Sequence, residues 1–241
     1  MPKRLYIDSD ILIYRAAFAA EIFDPLTKKY PCAREIFDQT TDSICRDVGI
    51  SDHVHCVSSR TNFRKAIFPN YKSNRKAAKK PSGLSKLRNW VLAERSGWTV
   101  RNLEADDLLG IMATTSQDNV IASLDKDMGT LPNVAWYNFG KGEWVYQSLE
   151  QANEFFLIQA LAGDSVDGYK GIPGIGLKKA AKLLEEGGAR WSTVVGAYVR
   201  HGLTAQDAFV NASMARILTR ENYNLETGAM RPWEPRDLLT Y

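Results

Sequence analysis

Glu104-Ala105-Asp106-Asp107 sets three carboxylates within four residues, directly ahead of the apolar run Leu108, Leu109, Ile111, Met112. Leu108 and Met112 lie one helical turn apart, so the acids open a buried helix. The helix dipole stabilises an acid in that first turn by roughly 0.3–1 kcal/mol. That accounts for one or two of them, and a third adds repulsion unless a cation is near. Further acids follow apolar runs elsewhere: Asp8 after Leu5-Tyr6-Ile7, Asp125 and Asp127 after Val120 to Leu124, and Asp164 and Asp167 within Gly163 to Gly168. Each alone reads equally well as a turn or cap residue. The acids at strand ends and in the Glu104 turn make a carboxylate-rich set without His or Cys, which suits Mg2+ or Mn2+.

The cations are as unevenly spread as the acids. Between Arg60 and Arg101, Glu94 is the only acid. Lys72, Arg75, Lys76, Lys79 and Lys80 follow three- and four-residue spacing, so a helix would present them as a stripe. A solvated face explains such a run as well as a polyanion does. Tyr71 beside Lys72 adds an aromatic able to stack on a base, which tilts the reading towards nucleic acid. A second anion-binding pattern is Gly171-Ile172-Pro173-Gly174-Ile175-Gly176-Leu177-Lys178-Lys179. Its glycines permit close backbone approach, and the helix that follows aims free N–H groups at an anion.

The chain has 241 residues, a net charge of +3 and 44% hydrophobic residues, the composition of an ordinary globular protein of one large domain or one domain with an appendage. No apolar run approaches the roughly 20 residues of a membrane span. Met1-Pro2-Lys3-Arg4 leads straight into Leu5-Tyr6-Ile7 without a leader-like apolar region, so a cytoplasmic location is expected, host cytoplasm if the gene is a phage's. Cys32, Cys45 and Cys56 form no C-x-x-C pair and read as free thiols. His53, His55 and His201 lack zinc-type spacing, and the first two read as structural.

The elements that must position these groups alternate in type. Arg4 to Ile7, His53 to Val57, Trp98 to Arg101, Asn119 to Leu124, Val134 to Tyr137 and Trp144 to Tyr146 read as strands, the last two joined as a hairpin through Gly140-Lys141-Gly142. Ile11 to Ala20, Arg34 to about Val48 and Leu84 to Arg95 read as helices, with a loose polar stretch from Asp24 to Pro31. Asp10 reads as a helix cap. The alternation argues for a mostly parallel twisted α/β sheet flanked by helices. Ligands of such sheets bind outside the carboxyl ends of the strands, where Asp8, Ser59, Asp125 and Asp127 all fall. From Asn153 the chain turns helical, with an apolar helix over Phe155 to Ala162 and one more helix within Asn211 to Tyr241.

These blocks resemble the metal-dependent 5′-nucleases: flap endonucleases, polymerase-associated 5′→3′ exonucleases and phage relatives, with the exonucleases of short-tailed lytic bacteriophages as the nearest branch. The resemblance runs through Ile7-Asp8-Ser9-Asp10, Asn70-Tyr71-Lys72-Ser73-Asn74-Arg75-Lys76, Glu104-Ala105-Asp106-Asp107, Ser123-Leu124-Asp125-Lys126-Asp127, Gly163 to Gly168, the glycine loop and Met214-Ala215-Arg216-Ile217-Leu218. It implies a PIN-like nuclease core over residues 1–152, with a basic helical arch at about 68–94. Residues 153–241 would form a helix-hairpin-helix, duplex-binding subdomain with the tail. It implies two metal ions, one served by Asp8, Glu104 and Asp106, the other by Asp125, Asp127, Asp164 and Asp167, with Asp107 in support. Lys72 and Arg75 would meet the scissile phosphate. Tyr71, Lys76, Lys79 and Lys80, and Gly174, Gly176, Lys178 and Lys179 at the glycine loop, would meet DNA. Some relatives hold K+ at that loop. One departure stands out: relatives usually carry an aspartate after the second strand, and here Ser59, within a residue, takes that place.

The function expected is a Mg2+- or Mn2+-dependent 5′→3′ exonuclease on duplex DNA with a 5′ end or flap, with RNase H-like activity on RNA–DNA hybrids as an extension, acting as a monomer. A DNA-binding module on the same fold, catalytically weakened by Ser59, is the alternative. A metal phosphatase for small esters is a third reading, against which the basic run and glycine loop argue.

Overall fold

The computed structural model describes residues 3–23, 28–77, 79–231 and 233–238, without the side chains of Lys76, Ala77 and Asp237. Part of the expected polar stretch after Asp24 and the last residues of the tail lie outside that set. In chain order the elements are β1 (Arg4–Asp8), α1 (Ser9–Ala19), α2 (Ala33–Val48), β2 (His53–Cys56), α3 (Arg64–Ile67), α4 (Leu84–Glu94), β3 (Gly97–Trp98), α5 (Ala105–Ala113), β4 (Asn119–Ala122), β5 (Ala135–Asn138) and β6 (Glu143–Tyr146). Then follow α6 (Leu149–Ala162), β7 (Gly163–Asp164), β8 (Tyr169–Lys170), α7 (Leu177–Gly187), α8 (Trp191–Arg200) and α9 (Ala205–Ala215).

Six strands form one sheet in the order β3-β2-β1-β4-β5-β6. The pairs β1–β2, β1–β4, β2–β3 and β4–β5 are parallel. The α/β class expected from the alternation is therefore present. β5 and β6 are joined across the turn that Asn138 closes, its carbonyl accepting from the amides of Lys141 and Gly142. Connections leave β1 to one side for β2 and return on the other side as β4, so the crevice between the carboxyl ends of β1 and β4 is a topological switch point.

The chain divides into two compact units that exchange segments. The first comprises Met1–Thr61, Lys79–Asp125 and Ala135–Val145; the second comprises Asn62–Ala78, Lys126–Val134 and Tyr146–Tyr241. In the first, Leu5 and Ile7 of β1 pack with Leu12 and Ile13 of α1, Phe37 and Ile44 of α2, and Leu87 and Val91 of α4. These four apolar stripes explain why the helices lie on the sheet with their charged faces outward. In the second, α6 is the central helix. Ser148 caps it, accepting from the amide of Gln151 in a capping box. Phe156, Leu157, Ala160 and Leu161 of α6 pack with Leu184 of α7, Tyr198 of α8 and Ala212 of α9.

The expected lysine stripe is not one helix among the described residues. Ser73–Ala77 form a single 3-10 turn, and Lys79 to Pro81 are non-helical. Lys72 has φ 55°, which starts the segment as a turn, and 3-10 runs rarely extend further. The expected strand over Trp98 to Arg101 is shorter, ending at Trp98.

Trp233 closes the second unit from the carboxyl side. Its ring sits 5.1 Å from Phe156 and 5.0 Å from Trp191, both edge-on, and 6.1 Å from Phe209 in a stacked arrangement. Trp233→Ala is expected to lower unfolding free energy by about 3–5 kcal/mol in urea denaturation, the usual cost of truncating a buried large aromatic. A loss below about 1 kcal/mol would mean that the tail does not anchor the unit.

Candidate functional site

β1 delivers Asp8 to the switch point, and only 7% of the residue is exposed. Asp8 is formally the N-cap of α1, yet its side chain makes no cap hydrogen bond. It instead accepts from Ser123 Oγ at 2.9 Å, from the strand end of β4. Ser123 Oγ in turn accepts from the Asp125 amide at 3.0 Å, so one serine ties the two acidic strand ends together. Burial pushes the Asp8 carboxyl up to about 7, Asp10 and Asp125 push it further, and the Ser123 bond opposes them.

Asp10 is not a cap, contrary to its sequence reading. It lies one step inside α1 and receives the Ser58 amide on both oxygens, at 3.2 and 3.3 Å. Its carboxyl is also raised, by burial first and then by Glu104, with Ser58 and Arg88 opposing. Ser58 is a hub. Its Oγ accepts from the Ala105 amide at 2.8 Å, at the start of α5, and its carbonyl accepts from Arg88 Nη2 at 2.6 Å. Ser59 faces elsewhere: its Oγ is 3.3 Å from Thr61 Oγ1 and also accepts from the Thr61 amide.

Glu104 and Asp107 form a capping box at the start of α5, with the Glu104 amide donating to Asp107 Oδ2 at 3.1 Å. Asp107 is fully buried and spends its carboxylate on that turn, while Asp106 is half-buried. Asp106, Asp8 and Asp10 all act on the buried Cys56 thiol, which burial already pushes well up. Asp8, Asp10, Glu104, Asp106 and Asp125 are thus electrostatic neighbours. Sequence reasoning missed Asp10, Ser58, Ser123 and Arg88; the spacing Asp8-x-Asp10 was the one available signal. Lys79 and Lys80 are exposed in this unit.

In the second unit, Asp167 is held by cations. Lys72 Nζ lies 3.5 Å from Asp167 Oδ2, Arg75 Nη2 pairs with Oδ1, and Tyr71 donates to Oδ2 at 3.0 Å. The Lys72 amide donates to the Asp167 carbonyl at 2.7 Å. Tyr71 is 2% exposed and stacks on Tyr169 at 6.5 Å, so its ring faces protein and not a base. Asp164 Oδ1 accepts from the amides of Val166 and Asp167 and so shapes the loop. Gly163, at φ 69°, must be glycine, because a Cβ there would fall 2.1 Å from the Gly171 amide. Asp127 accepts from Gln159 Nε2 of α6. Asp127, Asp164 and Asp167 all act on Tyr169, whose hydroxyl burial pushes well above its ordinary value. The side chain of Lys76 is not among those described.

The glycine loop runs from β8 into α7. Gly174 has φ 77°, Gly176 is the N-cap of α7, and Lys179 Nζ donates to the Gly174 carbonyl at 2.9 Å. Gly174, Gly176, Lys178 and Lys179 are exposed, leaving the first amides of α7 open to an anion.

The donor chemistry fits a hard divalent cation: buried carboxylates that repel one another, with no soft ligand among them. Among the described residues, no three His, Cys, Asp or Glu side chains already converge as a ligand cage. An ion would take few direct carboxylates and keep several waters, the habit of magnesium.

An open, mostly parallel sheet with carboxylates at its switch point defines an α/β fold whose ligands bind at the strand carboxyl ends. Residues 3–155 match the family described as 5′–3′ exonuclease, N-terminal resolvase-like domain, and the chain belongs to it. It is accordingly a hydrolase of the 5′–3′ nuclease type. The chain is 29% identical to the exodeoxyribonuclease of Enterobacteria phage T3, over 96% of this chain and 93% of that protein. It is 28% identical to the exonuclease of Escherichia phage T7, with the same coverage of 96% and 93%. The fold also matches that of the bacteriophage T5 flap endonuclease solved with DNA and metal ions, at a TM-score of 0.68 and 17% identity, covering 88% of each chain. Among the described residues no helix is long and apolar enough to cross a membrane.

A carboxyl whose folded value exceeds its unfolded value binds extra protons when folded, so stability falls as pH rises through the gap. For Asp8 that window runs from its ordinary 3.8 to about 7. Metal-free protein is therefore expected to lose on the order of 1–4 kcal/mol across it. Asp8→Asn should flatten that decline in thermal melts taken from pH 4 to 8. An unchanged slope would show that Asp8 does not carry it.

Proposed function

We propose that the chain is a divalent-metal-dependent 5′→3′ DNA exonuclease, using Mg2+ or Mn2+ and attacking duplexes that carry a 5′ end or flap. The observation that carries this reading is the buried Asp8 carboxylate crowded by Asp10 and Asp125 at the switch point. Asp8, Glu104 and Asp106 would hold one ion. Asp125, Asp127, Asp164 and Asp167 would serve a second, and Asp107 supports them by fixing the first turn of α5. When bound, such ions supply Lewis-acid stabilisation of the phosphodiester and lower the pKa of the attacking water.

The residues of the chain do the rest. Ser123 and Ser58 orient the acids by hydrogen bonds. Lys72 and Arg75, already ordered on Asp167, bring positive charge that offsets the growing charge on the phosphate. The open amides of Gly176 and the first turn of α7, with Lys178 and Lys179, grip a duplex phosphate, and the same loop is where a K+ would bind. Lys79 and Lys80 add non-specific attraction to the strand. A monomer acting in the cytoplasm, with RNA–DNA hybrid as a further substrate, completes the reading. The likeness to the T3 and T7 proteins over nearly the whole chain supports the exonuclease part of it.

Digestion of 5′-end-labelled duplex in Mg2+ or Mn2+ tests it. Asp125→Asn is expected to reduce cleavage by more than about a hundredfold, a charge-stabilising loss of about 2.7 kcal/mol or more. Cleavage that survives the change would refute the site. One observation favours a non-cleaving DNA-binding module: β2 is followed by Val57-Ser58-Ser59, with no acid. That module would bind duplex and cleave it in neither metal. In either case Lys178→Ala and Lys179→Ala should each lower the slope of log affinity against log salt by about 1, since each removes one phosphate contact. An unchanged slope in both would place the duplex elsewhere.

A further inference from the structure

The second unit holds a cavity of about 580 Å3, within the usual range for a small-ligand site. It opens between the end of α3, β8 and the α8–α9 turn, and every residue that lines it belongs to that unit. Ile67, Phe68, Leu203 and Val210 give it apolar walls. Among its polar side chains, Lys170, Asp207 and Asn211 decide what it can hold. Asn211 is only 7% exposed, and a relay fixes its orientation. The Tyr198 hydroxyl donates to the Ala160 carbonyl at 2.7 Å, so it must accept from Asn211 Nδ2, also at 2.7 Å. Asn211 Oδ1 is thereby left as an acceptor without a hydrogen bond among the described residues. An acceptor on so buried a side chain is costly unless a ligand or water meets it.

Asp207 lies one helical turn before Asn211 on α9, which puts both acceptors on the same face. Its Oδ2 accepts from the Thr204 amide at 2.8 Å and hydroxyl at 2.6 Å, and Oδ1 remains. Lys170, exposed at the end of β8, lines the same cavity without pairing with Asp207. One cation beside an aspartate is a poor match for a duplex, whose backbone offers only phosphates. It matches a small anion attached to a flat ring that carries hydrogen-bond donors. Phe68, half-buried, offers an aromatic face to such a ring.

We propose that this cavity binds a nucleoside 5′-monophosphate. Lys170 meets the phosphate, Phe68 stacks on the base, and Asp207 and Asn211 accept from the base edge. Guanine suits that pair best, because its N1–H and N2–H2 stand side by side. Thymine offers a single N3–H between two carbonyls. The nuclease reading above enters only as the source of the ligand, since an exonuclease releases mononucleotides.

Calorimetric titration in EDTA, without DNA, tests this apart from cleavage. The titrants are dGMP, dTMP, deoxyguanosine and inorganic phosphate. The proteins are wild type, Lys170→Ala, Asp207→Asn, Val210→Trp and Lys141→Ala, the last a remote exposed control. Wild type is expected to bind dGMP with a dissociation constant of about 10 μM to 1 mM, and dTMP about tenfold more weakly. Lys170→Ala should weaken dGMP by about tenfold and leave deoxyguanosine unchanged, since it removes one charge-assisted contact. Asp207→Asn should erase the preference for dGMP over dTMP. Val210→Trp should fill the cavity and abolish binding, with its fold checked by circular dichroism, and Lys141→Ala should titrate as wild type. Full dGMP affinity in Lys170→Ala overturns the inference, as does the absence of wild-type binding at about 10 mM dGMP. Inorganic phosphate that binds as tightly as dGMP reduces the cavity to an anion site and overturns it as well. Binding of dGMP by a chain that cleaves no DNA keeps the cavity and removes only the enzyme itself as the source.

Discussion

Repulsion between buried carboxylates is the constraint around which the first unit is built. Two like charges about 5 Å apart repel by roughly 3 kcal/mol at an effective dielectric of about 20. A charge-assisted hydrogen bond such as that from Ser123 to Asp8 returns about 1.5–3 kcal/mol. The bond opposes a repulsion to which both Asp10 and Asp125 contribute. Against a total stability of about 5–15 kcal/mol, that is a large standing cost. It persists because β1 is fixed by buried Leu5 and Ile7 in parallel register with β2 and β4, which leaves Asp8 nowhere else to go. A cation bound among these carboxylates would relieve that cost.

The second unit carries its acids differently. Asp167 is neutralised in place by Lys72 and Arg75 and by the Tyr71 hydroxyl. Asp164 turns its carboxylate on the backbone of its own loop, and Asp127 is met by Gln159. The basic residues that would approach a phosphate are thus ordered in advance by an acid, which lowers the entropy lost when they engage it. One unit stores unfavourable charge, and the other stores oriented cations.

Much of this was legible in the sequence because it depends on local pattern. Asp8, Asp125 and the Glu104 turn follow apolar runs, and the strand–helix alternation fixes a parallel sheet whose carboxyl ends collect them. Asp10 was misread because a cap and a helix-interior acid look alike within two residues of a strand end. Only the Ser58 amide, 48 positions away in sequence, tells them apart. Tyr71 looked available to a base because it stands among lysines, and Asp167, 96 positions on, buries it. The lysine spacing suggested a helix, but the pairing of Lys72 and Arg75 with one distant carboxylate holds that segment as a short turn. Each miss is a side chain whose partner lies far along the chain, where no periodicity reaches. The same holds for the exchange of segments between the units: residues 62–78 and 126–134 pack with chain beyond residue 146, an association that composition does not announce.

Buried arginines show how the carboxyl-terminal motif enters this scheme. Arg64, 2% exposed, donates to the carbonyls of Met214 at 3.1 Å and Arg216 at 2.6 Å. Arg216, itself buried, lies over the Phe156 ring and reaches the Thr130 carbonyl at 3.5 Å. Thr130 Oγ1 donates at 2.8 Å to the carbonyl of Asp127. A residue before the glycine loop and a motif after it therefore converge on the turn that carries one of the acids. Removing either arginine would leave buried carbonyls unpaired, at about 1–3 kcal/mol each. The family match ends at residue 155, whereas likeness to the T3 and T7 proteins continues over 96% of the chain. Through Thr130, the Met214-to-Leu218 segment reaches the backbone of the turn that carries Asp127.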